Sequence, residues 1–292
     1  VTFSKNGLFN ITKDSNKNDV YHFTELNVSG NPGNYKSPSG TATFYIDSAI
    51  LDAQSQKIRV ANGQNIDMYF KNAVYKGDFI FDQGGYAIPT YYTFDGNYNG
   101  NTDTSLKGKA FVGNAYINAN APVFTFKNGA VADITDFKTS SFNASWFSYG
   151  LNLDSASKVS INNFSVTLGI GVINVKNQSD LKINTFGYRV GDLTVNVTNQ
   201  SVLDMGTVTS TRGPDDGWTW GVDAPPTPKK VINVDNSTLK GNFTLAPQID
   251  GWPIKNKSTG FQFNFKNNAK FEGKIYNNIG VTKNSTGKGD FF

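Results

Sequence analysis

Along much of the chain, apolar and polar residues alternate over short runs, and each run breaks at a polar corner. Leu151–Phe164 (LNLDSASKVSINNF), Ile173–Phe186 (INVKNQSDLKINTF) and Val195–Thr207 (VNVTNQSVLDMGT) share this form, as do Ile232–Leu245 (INVDNSTLKGNFTL) and Phe263–Tyr276 (FNFKNNAKFEGKIY). Each reads apolar-x-apolar, then a corner rich in Asn, Asp and Ser, then a second alternating run. Strict alternation marks a strand buried on one face, so every unit predicts strand, corner, strand. Phe124–Phe137 and Met68–Phe81 follow the same template, and Phe44–Ile46 with Asp47-Ser48-Ala49 begins another copy.

The second apolar residue of each unit sets the register: Phe126, Leu153, Val175, Val197, Val234 and Phe265, with gaps of 27, 22, 22, 37 and 31 residues. A base period of 22 with insertions accounts for all five. Repetition on this scale signals a stacked repeat architecture. One unit cannot bury its apolar stripe alone, but stacked at about 4.8 Å per layer each strand pairs with the coil above and below. The expected fold is all-β, a right-handed parallel β-helix of about a dozen coils of about 24 residues, forming a single rod over residues 1–292. A pair of β-sandwiches is the rival, since frequent turns suit it as well, but it does not predict a corner recurring at fixed phase. Irregular loops are expected near residues 31–40, 84–108, 211–230 and 246–260.

Composition agrees and narrows the chemistry. The chain carries 36 asparagines and 29 glycines, with 14% aromatic residues, which is too aromatic for a disordered chain. Asparagines at equivalent corners can stack into hydrogen-bonded ladders without any ligand. The same corners account for the N-x-S/T triplets at Asn27, Asn143, Asn177, Asn199 and Asn236. There is no cysteine and one histidine, His22 in a strand-like stretch, so thiolate and multi-histidine metal sites are excluded. No metal or cofactor is expected. The net charge of +4 comes from scattered lysines with only three arginines, which argues against nucleic-acid binding. No apolar run reaches the length of a spanning helix. Val1 opens without a basic start or apolar stretch, so a signal peptide is expected to lie outside this sequence, which reads as a piece of a longer protein.

The repeats at INVDNSTLKGNFTL, VNVTNQSVLDMGTV and FNFKNNAKFEGKIY resemble the passenger domains of Gram-negative autotransporters, in particular the vacuolating-cytotoxin-like and toxin-like outer membrane proteins. Coverage is good from about Phe124 to Tyr276 and weak before Gly108. The resemblance implies a secreted or surface-displayed rod whose parent is anchored in the outer membrane by a β-barrel absent from this chain. Adhesion, host-cell contact or self-association would be its tasks. The GDSG motif of protease passengers and the GDS block of esterase passengers are both missing.

The segment Thr211–Lys230 is the foremost candidate site. It holds Arg212, Asp215, Asp216, Trp218, Trp220 and Asp223 between proline-set flanks. On an extended segment Trp218 and Trp220 project to one face, forming an aromatic platform beside carboxylates. That chemistry suits a host-cell glycan or a surface receptor. Trp252, on the next insertion, would join it if both leave the rod on one side. Tyr91, Tyr92 and Tyr98 form a third aromatic loop candidate. Asp133 with Asp136 and Asp215 with Asp216 are the only close carboxylate pairs, and turn formation explains them better than glycosidic catalysis, so no catalytic residue is assigned. Three functions follow: a host-interaction module, a self-associating structural spacer of a larger protein, and, least favoured, a β-helical carbohydrate-active enzyme.

Overall fold

The computed structural model describes residues 2–3, 7–12, 20–22, 25–28, 41–60, 65–81, 89–117, 121–139, 148–166, 170–188, 192–210, 230–245 and 261–277. These form two parallel sheets of ten and twelve strands, and the described residues include no helix. The chain alternates between the sheets. Ile170–Val175 lies in the ten-stranded sheet, Asp180–Tyr188 in the twelve-stranded one, and Asp192–Thr198 returns to the first, one layer on. The architecture is a parallel β-helix.

The register residues stack as the spacing predicts. Phe126 pairs with Leu153, Leu153 with Val175, Val175 with Val197, Val197 with Val234 and Val234 with Phe265. The gaps of 37 and 31 residues are therefore single coils with long insertions. Among the described residues the ten-stranded sheet has ten rungs and the twelve-stranded sheet eleven, in line with a rod of about a dozen coils.

The corner leading from the ten-stranded to the twelve-stranded sheet explains much of the composition. Every non-glycine residue with positive φ among the described residues sits there, including Asn177 (56°) and Gln178 (63°), and Asn199 (55°) and Gln200 (61°). Asparagine tolerates this left-handed region better than most residues. The residue that follows points inward and is small. Ser157, Ser179, Ser201 and Ser237 are buried, and the backbone N–H of each of the first three donates to the hydroxyl of the next serine at 3.1–3.2 Å. The sequons at Asn177, Asn199 and Asn236 thus arise from corner geometry. Asn27 instead lies within the strand Glu25–Val28, and Asn143 lies outside the described residues.

Inside, identical rung positions stack like on like. Phe70, Phe94 and Phe126 form one column with ring centroids 4.7 and 4.9 Å apart, and Phe137, Phe164 and Phe186 form another at 4.7 and 5.1 Å. Strands of the twelve-stranded sheet bend midway. In Lys158–Val166 the buried positions fall at Val159 and Ile161, then shift phase to Phe164 and Val166.

Two sequence expectations for the first hundred residues are corrected. Pro89–Asp95 is a strand, not loop, with Thr90, Tyr92 and Phe94 facing the core and, of its two tyrosines, only Tyr91 turned out. Proline is tolerated there because it occupies the first strand position. Tyr98 belongs to the excursion 96–110 at the tight corner, where it is buried with Leu106 against Ile50 and Val74. The third aromatic loop candidate is therefore mainly core.

Candidate functional site

Parallel, in-register stacking brings each outward side chain about 4.8 Å from its equivalent in the next coil. The exterior is accordingly organised as columns. The longest runs along the strands of the ten-stranded sheet rather than at the corner. Asn264 donates to Asn233, Asn233 to Asn196, Asn196 to Asn174 and Asn174 to Asn152, all at 2.8–2.9 Å. A second ladder at the corner joins Asn199 to Asn177 and Asn177 to Asp154.

Replacing Asn196 by Asp removes the donor to Asn174 and leaves two oxygens facing each other. Asn196→Asp should cost about 1–2 kcal/mol at neutral pH in urea melts. The deficit should shrink as acid protonates the carboxyl and restores a donor. An undiminished deficit in acid would show that the lost bond is not its cause.

Like charges stacked at this spacing would repel, and the sequence alternates them. In the column beside the long ladder, Asp47, Lys71, Asp95 and Lys127 follow one another, then Asp154 and Lys176, and later Asp235 and Lys266. Lys127 pairs with Asp95 at 3.5 Å and Lys176 with Asp154 at 3.1 Å. Burial pushes the Asp95 carboxyl up, but hydrogen bonds from Tyr69 and Asn128 and the Lys127 charge outweigh it and hold it below its ordinary value. The outward column of the twelve-stranded sheet alternates likewise through Lys182, Asp204, Lys240 and Glu272. Asp133 and Asp136 are drawn into separate arrangements: Asp133 pairs with Lys109 at 2.6 Å, while Asp136 accepts from Asn163 at 2.9 Å and pairs with Lys138 at 3.2 Å. No group of three or more metal-ligating side chains occurs among the described residues.

Against this charged exterior, one strip is apolar. Among the described residues, three of the four large hydrophobic side chains that stand exposed, Tyr91, Ile170 and Val172, share the outer face of the ten-stranded sheet. Rung pairing carries Tyr91 to Val123 and Gly150, then Val172, Thr194 and Val231. Composition gave no signal for this strip, because its residues fall in different repeats and are contiguous only after stacking.

The foremost sequence candidates, Arg212, Asp215, Asp216, Trp218, Trp220 and Trp252, lie outside the described residues, as does Asp223. Their points of attachment are described. Val202–Ser210 ends in the twelve-stranded sheet and Lys230–Asp235 starts in the ten-stranded one. Thr238–Leu245 and Phe261–Lys266 stand in the same relation one coil later. Both segments are thus rooted on one edge of the rod, in consecutive coils. Connections of this kind range from three residues, as at 189–191, to nineteen at 211–229, whereas the opposite corner spans two to four residues apart from 13–19 and 96–110. All four tryptophans, Trp146, Trp218, Trp220 and Trp252, fall in such connections.

Lys230, grouped by sequence with the tryptophan insertion, is instead the first residue of a strand and faces inward. It is 3% exposed, its Nζ has no hydrogen-bond partner, and it lies 5.1 Å from the centroid of the Tyr188 ring. Burial lowers its pKa to about 8, with the Asp192 charge opposing the shift. Alternation predicts this placement once Ile232 and Val234 are recognised as inward. No family model matches this chain, and neither the curated proteins nor the solved structures provide a match.

Proposed function

We propose that the chain is a secreted or surface-displayed bacterial module of autotransporter passenger type, a rigid rod that presents inserted segments to a host-cell glycan or surface receptor. The observation that carries this reading is the shared root of the two long insertions, one coil apart on a single edge. Side chains from 211–229 and 246–260 then start from neighbouring rungs, within reach of one composite surface. The ladders and stacked core supply a stiff base, so the scaffold itself pays little ordering cost on binding. Trp218 and Trp220 are assigned to stacking on the partner, with Arg212, Asp215 and Asp216 as polar contacts and Trp252 contributing from the next coil.

The test is binding to a glycan array and to host epithelial cells, comparing the full chain with a form lacking residues 213–228 and matched to it in circular dichroism. The full chain should bind and the trimmed form should not. Equal binding by both would place recognition elsewhere and overturn the assignment of Trp218 and Trp220.

A further inference from the structure

The bend in the twelve-stranded sheet builds a trough on the outside of the rod. Four consecutive strands, Val131–Thr139, Lys158–Val166, Asp180–Tyr188 and Val202–Ser210, carry one residue more at the bend than Phe111–Ile117 before them and Thr238–Leu245 after. The extra residues, Thr135, Asn162, Asn184 and Gly206, stand unpaired in the register. Their neighbours Asp136, Asn163 and Thr185 form a ladder of their own at 2.9 Å, which holds the bulge in the same place on each rung. Bulges of this kind re-aim side chains and recur beside active sites.

Thr135, Asn162 and Asn184 make one wall of the trough. Asp133, Ser160 and Lys182 make the other, with the backbone of the inward residues Ile134 and Ile161 between them. All six wall residues are exposed, and the trough holds about 210 Å³. Asn184 donates to Asn162 at 2.8 Å, which leaves the Asn162 amide hydrogens and the Asn184 side-chain carbonyl for a ligand, beside the hydroxyls of Ser160 and Thr135. Charge is balanced, because Asp133 pairs with Lys109 and Lys182 is followed in its column by Asp204. At the fourth rung Gly206 has no side chain. The trough therefore opens there, on the strand whose end roots the 211–229 insertion.

We propose that this trough holds an extended, uncharged oligosaccharide running along the rod from the insertions; the inference rests on the glycan reading above and names the class of glycan. Three features select this occupant. The walls offer donors and acceptors without net charge, which suits hydroxyl and acetamido groups rather than an acidic polymer. The polar groups repeat at every rung, about 4.8 Å, close to the advance of one sugar in an extended chain. A peptide strand would need an open sheet edge, whereas the backbone here is already paired on both sides.

Calorimetric titration of the full chain with linear oligomers of glucose, N-acetylglucosamine and N-acetyllactosamine, from two sugars to six, tests this. At least one series should bind and should tighten by roughly tenfold or more with length, the worth of one or two added hydrogen bonds. Ser160→Trp fills the trough with a residue favoured in strands. It should bind the disaccharide as the parent does and lose the gain with length. Thr194→Trp, exposed on the other sheet, should keep that gain. Thermal melts of both variants should match the parent. A full chain that binds none of the three series would remove the glycan reading and the trough with it. A parent whose affinity does not rise with length, or a Ser160→Trp form in which it rises equally, would overturn the trough alone.

Discussion

Gly113→Ala is expected to unfold the rod or to cost more than about 4 kcal/mol, the range reserved for severe core lesions. A Cβ built at Gly113 would stand 1.7 Å from the carbonyl oxygen of Gly77 in the neighbouring coil. The cause is the bend in the twelve-stranded sheet. Coils near both ends make this bend through a single glycine, with Gly77 at φ 150° and Gly273 at φ 151°. When two such bends stack, the backbones approach closely, and a Cβ built at Gly273 would likewise stand 1.9 Å from the Gly241 carbonyl oxygen. The central coils carry one extra residue at the bend, as the register shift between Gly113 and Ala115 records, and there Ile134, Ile161 and Ile183 occupy it. Because the obstacle is backbone rather than a flexible side chain, it cannot move aside. Gly108→Ala is the control. Its φ is 78°, but nothing lies within 4 Å of the added carbon, so only the left-handed conformation is charged, about 1–2 kcal/mol. Parallel urea melts of the two variants would contradict this account if their losses were equal.

Lys230→Met should stabilise the protein at neutral pH by about 3 kcal/mol, with the gain vanishing in alkali. The buried amine titrates near 8 in the fold against 10.5 in the unfolded chain, and at neutral pH that difference costs about 3 kcal/mol. Its position over the Tyr188 ring recovers part of the loss. The folded pKa is the lower one, so between about 8 and 10.5 the unfolded chain holds a proton that the fold has released, and stability rises with pH across that window. Below about 8 the penalty is present in full. Thermal melts of both proteins across this range should therefore converge as pH rises. A constant difference would mean that Lys230 is not titrating from a buried position.

The repeat was legible in the sequence because stacking is in register. A side chain's rung neighbour lies one period away, so gaps of 22, 37 and 31 residues convert directly into the pairs Val175–Val197, Val197–Val234 and Val234–Phe265. The corners were legible for a related reason, since Asn, which tolerates positive φ, opens most of them, although Ser155, Ala156, Gln178 and Gln200 adopt it as well. Tyr92 was hidden because Pro89 and the Tyr91–Tyr92 pair mask the alternation of a strand whose inward positions are Thr90, Tyr92 and Phe94. Lys230 was hidden because a lysine is the residue least expected on an inward position. Of the candidate site, the sequence supplied the residue types but not their common edge. That edge follows from which sheet each flanking strand joins. The apolar strip was not legible at all, because Tyr91, Val123, Val172 and Val231 are neighbours only through the stack.

The account rests on a rod that continues unbroken through both long insertions, and one distance tests that most directly. The chain has no cysteine, so Tyr91→Cys with Gln262→Cys gives two specific sites for spin labels. Both positions lie in the same outward column, six rungs apart. Pulsed electron paramagnetic resonance should return one narrow distribution centred near about 29 Å. A broad or much longer distribution would show that the coils on either side of 211–229 and 246–260 are not stacked, and the shared edge for recognition would fall with it.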